Sequence, residues 1–197
     1  MRRLARYLLR KLALAVEGVL VAEKVQRLTA NGAVIGKDVF FEGDISDYKN
    51  APFLTLEDGC TVSRGTMILL HDSALNNTLG SPIKFGKVVI GKESYIGSNC
   101  TILCGVRIGE RAIIGAHSLV NTDIPDEAVA YGVPAKVMGN VHEVNARVSA
   151  EQAGDGENIF MFPTLPWRKR KESQSVYRSE YDDFVLKALG KSREDSH

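Results

Sequence analysis

Aliphatic residues recur at every sixth position through the middle of the chain. From Ile90 the series runs Ile90, Ile96, Ile102, Ile108, Ile114 and Val120, every member β-branched. The residue that follows is Gly91, Gly97, Leu103, Gly109, Gly115 or Asn121. Four positions on from the first five stand Ser94, Cys100, Val106, Ala112 and Ser118, all of small or modest size. A period of six matches neither a helix nor an alternating strand, but it suits a short strand plus a corner, repeated. Three such units make one triangular coil. The aliphatic residue then points inward and stacks on its equivalent one coil away, and the small residue fits where the interior narrows. The glycine is expected to supply backbone geometry that a Cβ hinders. One hexapeptide cannot bury its apolar face alone, whereas stacked coils bury a continuous column. The predicted fold class is an all-β solenoid of parallel strands.

The same phase appears earlier, in Leu56, Val62 and Ile68, with Cys60 and Thr66 at the small positions and Ile35-Gly36 and Phe41-Glu42 as an opening pair. Between Ile68 and Ile90 the spacing is 22, which is not a multiple of six. Residues 71–85 are therefore predicted to be a loop thrown out of the solenoid, rich in turn formers such as Asn76, Asn77, Gly80, Ser81 and Pro82. Long loops on a regular scaffold tend to carry function.

Both flanks read as extensions. Arg2, Arg3, Arg6, Arg10 and Lys11 precede the run Leu12–Ala22, which Glu17 interrupts and which is too short to span a bilayer. The pattern predicts an amphipathic helix over about residues 2–28. It could pack against the main domain or a neighbouring subunit, lie on an anionic membrane surface as a peripheral contact, or be a cleaved signal. After about residue 141 the repeat stops. Val141–Val148 reads as a short helix and residues 149–158 as a flexible link. Phe160, Met161, Phe162, Leu165 and Trp167 form an apolar cluster suited to docking on a subunit. The basic run Arg168–Lys171 reads as solvated surface or as a contact for a phosphate-bearing acceptor or membrane, and Tyr181–Leu189 as a short helix. The expected division is an N-terminal helical segment (1–30), the repeat domain (31–140, with loop 71–85) and a C-terminal extension (141–197).

Composition changes this picture little. The chain has 197 residues, 44% hydrophobic and 25% charged, which is ordinary for a globular protein. A formal net charge of +1 gives no global field to argue for nucleic acid as a partner. Cys60, Cys100 and Cys104 form no secretory framework and read as reduced thiols of a cytoplasmic protein.

The stretch from Gly80 to Gly97, GSPIKFGKVVIGKESYIG, resembles the hexapeptide-repeat O-acetyltransferases. The likeness continues through CGVRIGERAIIGAHSLV from Cys104 to Val120, through Asp123-Ile-Pro, and into Tyr131-Gly-Val-Pro-Ala-Lys-Val, which resembles that family's terminal signature. It covers about residues 33–140 and is shared with maltose, galactoside, xenobiotic and surface-polysaccharide sugar acetyltransferases. The resemblance implies a left-handed parallel β-helix, although parallel crossovers are normally right-handed. It further implies a homotrimer with sites between subunits, acetyl-CoA as cosubstrate, no metal, and a sugar or sugar-derived acceptor acetylated on a hydroxyl or an amine.

Acyl transfer to an alcohol needs a base, oxyanion stabilisation and a thioester held beside the nucleophile. Histidine suits the first task because its unperturbed pKa of about 6.5 lies near working pH. His71 stands where the coil phase ends, in Ile68-Leu-Leu-His71-Asp72, which resembles the family's catalytic position. Asp72 reads either as an orienting carboxylate or as a turn residue with local backbone bonds. Together with Asn76 and Asn77 it is a candidate for the acceptor side. The resemblance puts Ser98, Ala116 and Asn121 along the pantetheine arm of CoA and Lys136 at one of its phosphates. Where the family commonly has Thr-Lys before Asp-Ile-Pro, this chain has Asn121-Thr122, so one phosphate contact is missing or differently supplied. His117 replaces the usual small residue and reads as an exposed corner or as a neighbour of the CoA groove. Cys100, at a small inward position, reads as packing. A three-histidine metal hydratase on the same solenoid is disfavoured, since the repeat holds only His71 and His117. A non-catalytic trimeric scaffold is the remaining alternative.

Overall fold

The structure, a computed structural model, describes residues 19–151. The predicted helix before residue 19, the apolar cluster Phe160–Trp167, the basic run Arg168–Lys171 and the helix Tyr181–Leu189 lie outside the described residues. The elements below belong chiefly to the compact unit Ala13–Ala146.

The six-residue period produces two- and three-residue strands that visit three parallel sheets in rotation. β1 (Val34–Ile35), β4 (Leu54–Leu56), β9 (Val88–Ile90) and β12 (Arg107–Ile108) make the first sheet. β2 (Phe40–Phe41), β5 (Thr61–Val62), β10 (Tyr95–Ile96) and β13 (Ile113–Ile114) stack in the second, which the hairpin β15 (Ala128–Gly132) and β16 (Ala135–Asn140) completes. β3 (Asp44–Ile45), β6 (Met67–Ile68), β11 (Thr101–Ile102) and β14 (Leu119–Val120) form the third. One turn of the chain thus lays one strand on each sheet. In the regular part the ladder pairs Ile90 with Ile108, Ile96 with Ile114 and Ile102 with Val120, a step of 18 residues.

The six-spaced column is the core. Ile90, Ile96, Ile102, Ile108, Ile114 and Val120 are all 0% exposed, as are Leu56, Val62 and Ile68 below them. Fully burying each such side chain is worth about 1.5–3 kcal/mol. Ser94, Cys100, Val106, Ala112 and Ser118 fill the narrow positions and are buried too. The polar ones are satisfied: Ser94 Oγ donates to the Gly91 carbonyl at 2.7 Å and Ser118 Oγ to that of Gly115 at 2.6 Å. Thr66 Oγ1 donates to the Gly97 carbonyl at 2.8 Å and accepts from Cys100 N–H at 3.1 Å, stitching two coils.

The glycine after the aliphatic residue has a different reason from the one expected. Gly91, Gly97, Gly109 and Gly115 are not among the positive-φ residues. A Cβ on Gly97 would lie 2.6 Å from Ala116 N, and one on Gly91 2.5 Å from Gly109 C, so glycine here permits one coil to sit closely on the next. The left-handed residue comes two positions later, at Glu93, Asn99, Arg111 and His117, with φ between 52° and 58°.

Each end of the stack has a cover. Helix α1, described over residues 19–30, inserts the fully buried Leu28 into the core, with Val25 packed beside it. Its Lys24 Nζ donates to the Gly43 carbonyl at 2.7 Å, satisfying backbone at the first coil. Of the readings weighed for this helix, packing on the repeat domain is the one its described residues display. At the other end β15 and β16 pair antiparallel, with Ala130 of β15 and Ala135 of β16 buried. No helix among the described residues is long and apolar enough to cross a membrane. Two further α-helices are α2 (Ala74–Leu79) and α3 (Val141–Glu151). α3 begins where a short helix was predicted but continues to Glu151, so residues 149–151 are helical rather than the start of a flexible link, and the rest of that link lies outside the described residues.

Candidate functional site

One corner of the coil is built irregularly. Between β11 and β12 the chain turns from the third sheet to the first through Leu103, Cys104 and Gly105, the last at φ 89°. At the same corner of the first coil stands a 3-10 helix, Tyr48–Phe53. At the same corner of the second coil the chain leaves the stack for the predicted loop. Across that departure Leu56 pairs with Ile90 and Ile68 with Ile102, a step of 34 residues rather than 18, so 16 extra residues enter one coil.

The departing segment is more ordered than a loop. β7 (His71–Asp72) and β8 (Lys84–Phe85) pair antiparallel and form its stem, with His71 opposite Phe85 and Asp72 opposite Lys84. Between them lies α2, closed by Gly80 in the left-handed region at φ 68°. Gly86 N–H donates to the Leu70 carbonyl at 3.2 Å where the chain re-enters. A Cβ on Gly86 would lie 2.5 Å from Gly105 N, so the stem re-enters against the regular corner above.

The two irregular corners are neighbours in the stack, so they meet. Asn50 of the 3-10 helix lies with Nδ2 3.0 Å from His71 Nδ1. The His71 ring stacks on Phe85, with centroids 5.8 Å apart, and Phe85 stacks on Phe53 at 5.6 Å. His71 is half-buried, and among the described residues its Nε2 makes no hydrogen bond. One ring nitrogen is thus held and one ring face is covered.

The other residues named from sequence are distributed as follows. Asp72 is exposed, and its Oδ1 accepts from Ala74 N–H at 2.9 Å, the local backbone bond of a turn residue. Asn76 Nδ2 donates to the Ser81 carbonyl at 2.8 Å, bracing the excursion from within. Asn77 is exposed, and its N–H donates to the carbonyl of Ser73, the residue that precedes α2. Ser98 and Ala116 occupy one corner in successive coils, joined where His117 N–H donates to the Ser98 carbonyl at 2.9 Å. That corner and the His71 corner are the two edges of the third sheet. Asn121 follows β14 on the His71 side, and Lys136 is exposed in β16, opposite Tyr131. Among the described residues no hydrogen bond links Ser98, Ala116, Asn121 or Lys136 to His71. His117 is an exposed corner residue at φ 58°, with its Nε2 3.4 Å from Asn99 Nδ2.

Cys60 and Cys100 are poor competitors for nucleophilic chemistry. Burial pushes the Cys60 thiol up to about 12, and burial also raises Cys100, whose Sγ donates to the Gly115 carbonyl at 3.2 Å. Both thiols therefore stay protonated at neutral pH and act as packing.

Asn50, Phe53 and Phe85 were not found from the sequence. A signal existed: Phe41 and Leu56 are 15 positions apart, a second slip from the six-residue phase. Two slips at one corner of adjacent coils place the intervening residues together.

Residues 87–122 match the family described as bacterial transferase hexapeptide (six repeats). The chain is 32% identical over 125 residues to YvoF of Bacillus subtilis (strain 168), whose name assigns it to the acetyltransferases; the match covers 64% of each chain. It is 36% identical over 100 residues to the galactoside O-acetyltransferase of Escherichia coli (strain K12), covering 46% of this chain and 49% of that one. The chain thus spans under two thirds of the length of these relatives. A solved hexapeptide-repeat acetyltransferase of Vibrio cholerae O1 biovar eltor, complexed with acetyl coenzyme A, superposes with a TM-score of 0.49 at 26% identity, covering 56% of this chain and 61% of that chain. Residues 87–122 therefore carry the bacterial transferase hexapeptide repeat, and the chain is similar to the acetyltransferases named above.

Proposed function

We propose that this chain is an acetyl-CoA-dependent acetyltransferase, acting on a hydroxyl or amine of a sugar or sugar-derived acceptor, with His71 as general base. The observation that carries the reading is His71 itself: Nδ1 engaged at 3.0 Å, one face covered by Phe85, and Nε2 unclaimed among the described residues. A neutral imidazole with its proton on Nδ1 takes the acceptor proton at Nε2 as the acceptor oxygen or nitrogen attacks the thioester carbonyl. The tetrahedral adduct then collapses, the C–S bond breaks, and the proton passes to the departing CoA thiolate.

On this reading residues 31–140 are the catalytic domain and 71–85 the acceptor loop, with Asp72, Asn76 and Asn77 on the acceptor side. Ser98, Ala116 and Asn121 line the pantetheine arm, and Lys136 meets a phosphate as a point charge. The coil is left-handed and the assembly a homotrimer, which brings the Ser98–Ala116 edge of one protomer towards the His71 edge of its neighbour. The likeness to galactoside O-acetyltransferase supports the sugar class. The free, buried cysteines suit a reducing cytoplasm.

A thiol-release assay with acetyl-CoA against a panel of sugars, nucleotide sugars and amines tests donor and acceptor together. His71→Ala is expected to lower kcat by about 10²–10⁴ while CoA still binds by calorimetry. Retained turnover in that variant rejects His71 as base. Absence of CoA binding by the unaltered protein rejects the enzyme and leaves a hexapeptide-repeat scaffold.

A further inference from the structure

We propose that Asn50 is a positioning residue that sets the tautomer and plane of the His71 imidazole, an inference that rests on the reading of His71 as base. Asn50 and His71 come from different coils and are 21 residues apart, yet their side chains are the partners of one hydrogen bond.

Asn50 is itself anchored. Its N–H donates to the Asp47 carbonyl at 3.0 Å, and Asp47 caps the 3-10 helix by accepting from Lys49 N–H at 2.9 Å. The adjacent Ala51 is fully buried and roots the helix in the core. Phe53, at the end of the same helix, stacks on Phe85, which in turn lies on the His71 ring. One short helix therefore holds the edge of the imidazole directly and its face through a single intermediary.

An amide and an imidazole nitrogen at this distance can pair in two ways. If Asn50 Nδ2–H donates, as the 3.0 Å approach of Nδ2 to Nδ1 has it, Nδ1 is bare and the ring proton sits on Nε2, which then cannot accept a proton; the other pairing needs the amide turned over about its χ2 bond. If the amide presents Oδ1, it accepts from Nδ1–H and the lone pair lies on Nε2. Base chemistry at the unclaimed nitrogen requires the second pairing. Asparagine performs this without a charge. An aspartate there would fix the same tautomer but also favour the imidazolium, leaving less of the neutral base near pH 7. The charged residues on the surrounding elements are Asp47 and Lys49 on the 3-10 helix, Asp72 on β7 and Lys84 on β8.

The test reads the tautomer first, without donor or acceptor. Long-range 1H–15N spectra of the unaltered protein are expected to show His71 with its proton on Nδ1, and Asn50→Leu should shift it towards Nε2–H. A resting Nε2–H tautomer, or a tautomer unmoved in Asn50→Leu, overturns the proposal. In the thiol-release assay Asn50→Leu should lose about 10-fold or more in kcat, part of the 10²–10⁴ that a placed base supplies, with KM for acetyl-CoA unchanged. Asn50→Asp should restore most of that loss at high pH and move the acid limb of the kcat profile upward. A kcat loss in Asn50→Leu that Asn50→Asp does not rescue at any pH indicates a merely structural role and overturns the proposal. If the unaltered protein turns over no acceptor, the reading of His71 as base fails, while the spectra still decide whether Asn50 sets the tautomer.

Discussion

The wall of coils from Ile90 to Val120 and the corner that carries His71 obey opposite rules. In the wall each coil repeats the last: ladder partners stand 18 residues apart and every six-spaced aliphatic is fully buried. At the His71 corner the chain breaks step twice, and the inserted helix α2 buries none of its residues. The contrast separates the part of the fold that repetition stabilises from the part where dissimilar side chains are brought together. A repeated core stabilises itself through its neighbours, but it presents the same surface at every level. Distinct side chains meet where the repeat is interrupted, and the adjacent regular coils bear the cost of holding them.

The sharpest way to break this contrast is to cut the wall. Ile102→Ala, between Ile68 and Val120, should cost about 2–5 kcal/mol, read as a lowered denaturant midpoint. A loss under about 1 kcal/mol would mean that the column does not bear the load assigned to it.

Next come the glycines, which separate close packing from backbone dihedral. Gly97→Ala forces a Cβ to 2.6 Å from Ala116 N and should cost about 1–3 kcal/mol. Gly105→Ala meets nothing within 4 Å but must hold φ 89°, at about 1–2 kcal/mol. Asparagine tells them apart: it tolerates the left-handed region, so Gly105→Asn should be milder than Gly105→Ala, whereas Gly97→Asn should be no better than Gly97→Ala. Thermal midpoints of the four variants read the order directly.

The excursion should be thermodynamically quiet. Leu79, at 73% exposure, projects from α2, and Leu79→Ser should change stability by no more than about 0.5 kcal/mol. A larger loss would show that the inserted segment is part of the cooperative core.

The smallest effect concerns an ion pair on the regular wall. The hydrogen bond from the Arg111 guanidinium holds the Glu127 carboxyl below its usual 4.5. A carboxylate depressed in the folded state contributes stability above its unfolded pKa, and that stability is lost as pH falls through the folded value. Glu127→Gln should therefore flatten the decline of stability on acidification below about pH 4.5, slightly and less so at high salt. An unchanged acid slope would remove this pair from the account.

Period and residue size were enough to specify the coil. Ile90 to Val120 were expected to point inward and Ser94 to Ser118 to fill the narrow positions, because stacked units bury every sixth side chain in one continuous column. The 22-residue gap after Ile68 likewise marked a departure from the coil with His71 at its edge, while the role expected of His71 came from the family resemblance. The glycine geometry was misjudged because a Cβ clash with the next coil depends on residues 18 positions away, which local dihedral reasoning does not see. The partnership of Asn50 with His71 belongs to the tertiary structure for the same reason. It arises because two irregular corners occupy successive levels of one edge, and the closeness of levels is a property of the stack rather than of any stretch of chain.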